Sequence, residues 1–324
     1  MNNKILVVGG AGYLGSKFCE FNLKNNNYVH CLDYCIYENE YSIKNLKKNK
    51  NFTFLKFDIK KKYINENDYD SVIIFAGLVG DPITKKYKAL SKKINIYGIK
   101  KIINYFKNKK VRLIFLSTCS NYGFIKNEIA TEKTRLSPKS IYAKQKVAIE
   151  KNIIKLKNKS NFCPTILRFS TAFGLSLRPR FDLTINEFVL NAFLKKKVEI
   201  YDHETWRPYC HVNDFSKIIN DCLNLNYKKA YFNILNVGSN NNNFRKIDLA
   251  RRIKKIIPGF EYKIVKGSKD PRDYRVNFDK LSKFLKQKSF VSIDFGIREI
   301  IYFLKRQKNP KKFLKYGNFN IFQK

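Results

Sequence analysis

The stretch VVGGAGYLG (residues 7–15) constrains the fold of this chain more than any other. It closes the apolar run KILVVG, which reads as a buried strand. It opens YLGSKFCEFNLKNN, where Leu14, Phe18, Phe21 and Leu23 recur at near-helical spacing. Gly9, Gly12 and Gly15 thus occupy a strand-to-helix turn with G-x-x-G-x-x-G spacing. Side chains are missing where a backbone must approach a pyrophosphate, and the free N–H groups of a starting helix point at it. Asp33 ends the next strand, YVHCLD, 21 residues beyond Gly12. A carboxylate there accepts hydrogen bonds from ribose hydroxyls and repels a 2′-phosphate, so the pattern predicts NAD(H) in preference to NADP(H).

The first half continues this alternation. FTFLKFD (52–58), SVIIFAG (71–77), VRLIFLS (111–117) and PTILRFS (164–170) read as buried strands, INIYGIKKIINYFKN (94–108) and YAKQKVAIEKNIIKLKN (142–158) as helices. The expectation is an α/β fold, a doubly wound Rossmann parallel sheet, with a smaller C-terminal α+β substrate domain. Residues 1–170 with about 210–238 would form the NAD-binding domain, and 171–209 with 239–324 the substrate-binding region. In that second part, 181–196, 211–225 and 246–259 read as helices, 232–238 and 262–267 as strands. Asp58, closing the third strand, is either an adenine-edge contact or a plain strand-end acid. Tyr13, Leu14, Ile59, Ala76 and Gly77 complete the expected cofactor set.

Composition narrows the class. The chain of 324 residues is 44% hydrophobic and 15% aromatic, enough to bury a sizeable core and unlike a disordered chain. No apolar run approaches the roughly 18 residues a membrane span needs, and the Gly-rich start lacks a small-residue cleavage site. Seven cysteines without a C-x-x-C pair fit reduced thiols in the cytoplasm better than a disulfide framework, and no metal site is expected. The net charge of +39 raises the question of nucleic acid. Only 13 of the 65 basic residues are Arg, and Lys is scattered in short clusters along the whole chain, so a dedicated nucleic-acid face is not expected. A positive field would still attract a small anionic substrate.

Tyr142 and Lys146 lie one helical turn apart. A phenol of ordinary pKa about 10 becomes a usable base when a neighbouring ammonium and a positive nicotinamide ring favour the phenolate. Thr118, ending the fifth strand 24 residues upstream of Tyr142, can hydrogen-bond the same substrate oxygen.

With these motifs the sequence resembles an extended short-chain dehydrogenase/reductase of the NAD-dependent nucleotide-sugar epimerase/dehydratase family. FAGLVGDP (75–82), Asn95 in INIYG, LRFSTAFG (167–174) and WRPYCHVNDFSK (206–217) extend the resemblance over nearly the whole chain. It implies that Lys146 holds the nicotinamide ribose and lowers the Tyr142 pKa, that Tyr142 is the base at a sugar hydroxyl, and that Thr118 shares that bond. It also implies that Arg207 clamps the substrate diphosphate and that Asn186 contacts phosphate or nucleotide. An Arg suits a diphosphate through its fork of donors. The chain departs from the family in four places. FAG lacks the usual His, and Ala143 and Gln145 alter the Tyr-x-x-x-Lys interior. Thr171 stands where UDP-galactose-type 4-epimerases commonly carry Asn. DPRDYRVNFDK (270–280) replaces the R-P-G-D clamp, with Arg272 and Arg275 as phosphate candidates there. Arg178 and Arg180 are further candidates for the anionic substrate, or plain loop surface.

The residues after Thr118 select among reactions. The family's 4,6-dehydratases place an acid–base pair there, typically Asp-Glu. Cys119 and Ser120 supply no carboxylate, and Cys119 reads as a small residue lining the sugar pocket. What is left is C4 chemistry through a 4-keto sugar, epimerisation or net oxidation, serving surface-polysaccharide precursors. A nucleotide-sugar 4-reductase or 4,6-dehydratase is the alternative reading, and a catalytically idle NAD-sensing protein the reading from another class. A homodimer through helices 94–108 and 142–158 is implied by the resemblance.

Overall fold

A computed structural model describes residues 3–62, 68–267, 270–284 and 289–322. The glycine turn falls where the sequence requires it, between β1 (Lys4–Val8) and α1 (Tyr13–Lys24). There follow β2 (Tyr28–Asp33), β3 (Phe52–Lys56), β4 (Ser71–Ile74), the short helices α2 (Asp81–Lys86) and α3 (Lys88–Lys92), α4 (Ile99–Phe106), β5 (Arg112–Thr118), β6 (Phe124–Ala130), α5 (Ile141–Ile154) and β7 (Cys163–Phe169). β8 (Thr171–Phe173), α6 (Thr184–Lys195), β9 (Lys197–Tyr201), β10 (Trp206–His211), α7 (Val212–Leu223), β11 (Asn233–Val237), β12 (Asn243–Arg245), β13 (Glu261–Val265) and β14 (Asp273–Val276) complete the strands, with further helices at Lys246–Ile256 and Ile293–Lys305.

Seven strands form one parallel sheet in the order β11-β7-β5-β4-β1-β2-β3. β1, β4, β5 and β7 are covered on both faces, which is why they read as continuous apolar runs. One apolar cluster, with Phe18, Phe215 and Ile218, packs α1 and α7 on one face; another, with Ile102, Phe106 and Ile149, packs α4 and α5 on the other. The helix expected over 94–108 starts earlier and carries a π-turn at Lys93–Gly98. Within that turn Asn95 accepts from Leu78 N–H at 2.7 Å and donates to Leu78 O at 3.0 Å, pinning the loop after β4.

Three small sheets carry the other side of the site. β8 and β12 flank β10, β13 pairs with β9, and β14 pairs with β6. Their core is a third apolar cluster around Phe188, Ile200, Tyr209 and Ile297. Periodicity did not predict β6, β8, β9, β10, β12 or β14: β8, β12 and β14 span only three or four residues, and the longer β6, β9 and β10 pair outside the central sheet. All seven cysteines are free and buried, as expected of reduced thiols. Among the described residues no helix is long and apolar enough to cross a membrane, and no His/Cys/Asp/Glu cluster could hold a metal.

Candidate active site

The carboxyl ends of β1, β2, β4, β5 and β7 open onto a cleft of about 610 Å³ that the small sheets close from the other side. Its cofactor end is made largely of backbone. Gly9 has φ +88°, and a Cβ there would lie 2.5 Å from Ala76 N. A Cβ on Gly15 would lie 2.2 Å from Gly9 O, so helix and turn meet only because neither carries a side chain. Gly12 precedes α1 with no side chain capping the helix, which leaves its first N–H groups free for an anion. Asp33 accepts Ala11 N–H at 3.0 Å on one oxygen and Cys35 N–H at 2.8 Å on the other, and each oxygen keeps a lone pair for a ribose hydroxyl. Burial raises its carboxyl pKa, and those backbone bonds oppose the shift. Tyr13, Leu14, Asp58, Ile59, Ala76 and Gly77 also line the cleft.

At the centre, α5 starts at Ser140, whose hydroxyl accepts Ala143 N–H at 3.2 Å, and this cap aims the first turn into the cleft. Tyr142 and Lys146 both line it, as does Thr118 at the end of β5. Lys146 Nζ donates to Leu116 O at 2.6 Å and lies 5.8 Å from the centre of the Tyr142 ring. Burial lowers the Lys146 pKa to about 7, against the pull of Glu150. Burial pushes the Tyr142 phenol above its ordinary value, Asp81 adds to this, and Arg180 and Arg272 oppose it. The sequence reading called on a neighbouring ammonium together with a positive nicotinamide ring; from the protein alone, burial favours the neutral form of both Tyr142 and Lys146.

Behind this pair lies a buried ionic network. Glu150, one turn beyond Lys146, pairs with Arg168 at 2.7 Å and also accepts from Ser117 Oγ and, at 2.8 Å, from Asn121 Nδ2. It holds the chain on both flanks of Thr118, Cys119 and Ser120. Cys119 is a second correction. It is fully buried, its Sγ donates to Arg168 O at 3.1 Å, and it packs with Tyr122, Tyr274 and Phe278 instead of lining the sugar pocket. Ser120 does line the cleft, its hydroxyl 3.2 Å from Tyr274 OH.

The substrate end is assembled by strand pairing across long stretches of sequence. β6 begins four residues after Ser120, and its parallel pairing with β14, Asp273 opposite Phe124, brings Tyr274 to Ser120 and Arg272 to the cleft wall. β10 pairs with β8 so that Tyr209 opposes Thr171, which delivers Arg207. Thr171, Arg178, Arg180, Arg207 and Arg272 all line the cleft. Arg275 stacks on Trp206 at 5.4 Å and is not among the lining residues. The arginines are held by acids the sequence reading had not assigned. Arg207 pairs with Asp270 at 2.9 Å, Arg272 with Asp270 at 2.7 Å and Asp81 at 2.6 Å, and Arg180 with Asp182 at 2.6 Å. Burial pushes the Asp270 carboxyl up, but its bonds to Arg272 and the Arg207 charge outweigh that and hold it well below the usual range. Lys246 also lines the cleft, donating to Tyr201 O at 3.0 Å. Asn186 is the third correction: it is buried outside the cleft lining. It accepts Gly174 N–H at 3.0 Å and donates to Arg180 O at 2.9 Å, so it staples the arginine loop to α6. Asp81 and Asp270 were visible in GDP and DPRD, and only the fold reveals their arginine partners.

A glycine-built dinucleotide cleft with Tyr–Lys at the mouth of a parallel sheet defines a nicotinamide-dependent enzyme class of the short-chain type. Residues 5–238 match the NAD dependent epimerase/dehydratase family, and the chain belongs to that family. Its cofactor is NAD, and the Gly9/Gly15 cradle and the Asp33 lone pairs fit that group. Among its relatives, the uncharacterized UDP-glucose epimerase YtcB of Bacillus subtilis (strain 168) is 28% identical over 68% of this chain and 72% of that protein. The ADP-L-glycero-D-manno-heptose-6-epimerase of Brachyspira hyodysenteriae (strain ATCC 49526 / WA1) is 25% identical over 71% and 74%. The fold matches UDP-glucuronic acid 4-epimerase from Bacillus cereus, solved in complex with UDP-glucuronic acid and NAD, with a TM-score of 0.82. That match is 24% identical and covers 93% of this chain and 99% of that one.

Proposed function

We propose that this chain is an NAD-dependent oxidoreductase acting at C4 of a nucleotide-diphosphate sugar, a 4-epimerase or C4 dehydrogenase working through a 4-keto sugar. One observation carries this reading. Thr118, Tyr142 and Lys146 meet in the cleft, yet the positions after Thr118 offer no carboxylate: Cys119 is sealed behind the wall and Ser120 presents a hydroxyl. Elimination of water would need an acid and a base there. Asp81, the carboxylate that acts most on Tyr142, is held by Arg272 at 2.6 Å.

When bound, NAD would supply a hydride acceptor and a positively charged ring. In this account Tyr142 Oη takes the proton of the sugar C4 hydroxyl, and Thr118 Oγ1 orients that oxygen. Lys146 holds the nicotinamide ribose, and Asp33 holds the adenosine ribose. Arg207 and Arg272, kept rigid by Asp270, grip the diphosphate through their guanidinium forks, with Arg180 the next cation along the wall. Residues 1–170 with about 210–238 form the cofactor domain and the rest the substrate region. Exposed Tyr97 and Ile154, on the expected dimer helices, support a homodimer, which light scattering would check. A cytoplasmic place in making surface-polysaccharide precursors belongs to the same proposal.

The test is a panel of UDP-, GDP-, CDP- and dTDP-sugars, heptoses included. Reduced-nicotinamide absorbance and NMR of the product are followed. The reading expects a product changed only at C4 from at least one member; turnover with none, or change elsewhere on the ring, would end it.

A further inference from the structure

We propose that residues 316–322 are a strap closing over the dinucleotide, with Asn318 and Phe319 facing the cofactor and setting how fast NAD leaves. The inference needs NAD binding and does not depend on the sugar chemistry. It concerns a segment beyond the residues that the family model matches.

Topology makes the first argument. β1 lies between β4 and β2 in the sheet, so the loops after these strands stand side by side at the carboxyl edge. Asn318 Nδ2 donates to Val79 O, after β4, at 2.8 Å. Phe322 N–H donates to Ile36 O, after β2, at 3.1 Å. A segment tied to both outer loops crosses the middle one, and the middle one is the glycine turn. Asn318 and Phe319 line the same cleft as Gly9, Gly12 and Asp33.

The strap also joins the two sides of the cleft. Phe181 N–H donates to Tyr316 O at 2.7 Å, and Asn318 N–H donates to Asp182 Oδ2 at 3.2 Å. Asp182 is the acid that holds Arg180. Ile321, 8% exposed, plugs into the apolar cluster of the α4 and α5 face. Phe319, fixed between these anchors, is itself 45% exposed. An aromatic ring so placed on a cleft wall offers a flat apolar face to a ligand that carries two aromatic rings. A few hydrogen bonds and two buried side chains, Asn318 and Ile321, can open without unfolding the sheet, as exchange of a covered cofactor requires.

The experiment measures NADH release from the full chain by stopped-flow fluorescence during a chase with excess NAD⁺. Asn318→Ala, Phe319→Ala and Ile321→Ser are compared with the unaltered protein. Loss of an anchor in Asn318→Ala or Ile321→Ser should speed release roughly five- to tenfold, the size of one hydrogen bond or more. Phe319→Ala, which removes an exposed side chain and leaves both anchors, should speed it several-fold with an unchanged melting temperature. Release at the original rate in both Asn318→Ala and Phe319→Ala would overturn the proposal.

Discussion

The two ends of the cleft are built on different principles. The cofactor end is local and backbone-made: Gly9, Gly12 and Gly15 lie within seven residues, and the acid that completes it ends the neighbouring strand. The substrate end is dispersed and made of paired charges: Asp81 starts α2, Arg180 lies in the loop before α6, Arg207 in β10, and Asp270 and Arg272 in the loop before β14. A backbone cradle tolerates almost no substitution. A charge lattice tolerates change when a partner changes with it.

Five substitutions sharpen this contrast, in falling order of effect. Tyr142→Phe, at the junction, should lower turnover by roughly 10²–10⁴-fold, the worth of a positioned base, while calorimetry shows NAD affinity nearly unchanged. At the cofactor end, Gly15→Ala should cut NAD affinity about 100-fold or more, because its Cβ meets backbone and has nowhere to go. At the substrate end, Arg207→Ala should raise the KM for the nucleotide sugar by roughly 30-fold or more, the cost of truncating one partner of a buried charge pair, and leave NAD binding alone. Asp270 keeps Arg272 at 2.7 Å when Arg207 is lost, so adding Asp270→Asn to Arg207→Ala should lower thermal stability further. Asp81→Asn removes a negative charge that raises the Tyr142 phenol, so the alkaline rise of kcat should begin at lower pH.

Lys146 yields a pH-linked effect on stability. Its folded pKa of about 7 lies below the ordinary 10.5, so between these values the unfolded chain binds the extra proton. Its contribution to stability is full above the unfolded value and is lost as pH falls toward 7, with a slope of at most about 1.4 kcal/mol per pH unit. Denaturant melts of Lys146→Met across that window should show a flatter dependence than the unaltered chain.

The same contrast decides what could be read without a structure. The parallel strands, the cofactor turn, Asp33 and the Tyr142–Lys146 pair were legible because each rests on short-range spacing: a period, a turn, one helical turn. Asn186 and Cys119 were misplaced for the opposite reason. Both lie within a few residues of cleft-lining groups, but chain direction turns Asn186 into the arginine loop and Cys119 into the cluster around Tyr122. No local pattern reports that rotation. The Asp270–Arg207 pairing spans 63 positions and depends on β10, β12 and β14, strands outside the central sheet, of which β12 and β14 span only three and four residues. The strap at 316–322 was unreadable too, because a segment tied by single hydrogen bonds carries no periodicity.

The central claim is that this site oxidises a sugar at C4 and stops short of elimination. The most direct measurement is NMR of the sugar product formed in D₂O from whichever nucleotide sugar the enzyme turns over. The account predicts a product altered at C4 alone, as the epimer or the 4-keto sugar, with ordinary hydrogen kept at C5. A 6-deoxy-4-keto product with deuterium at C5 would contradict it.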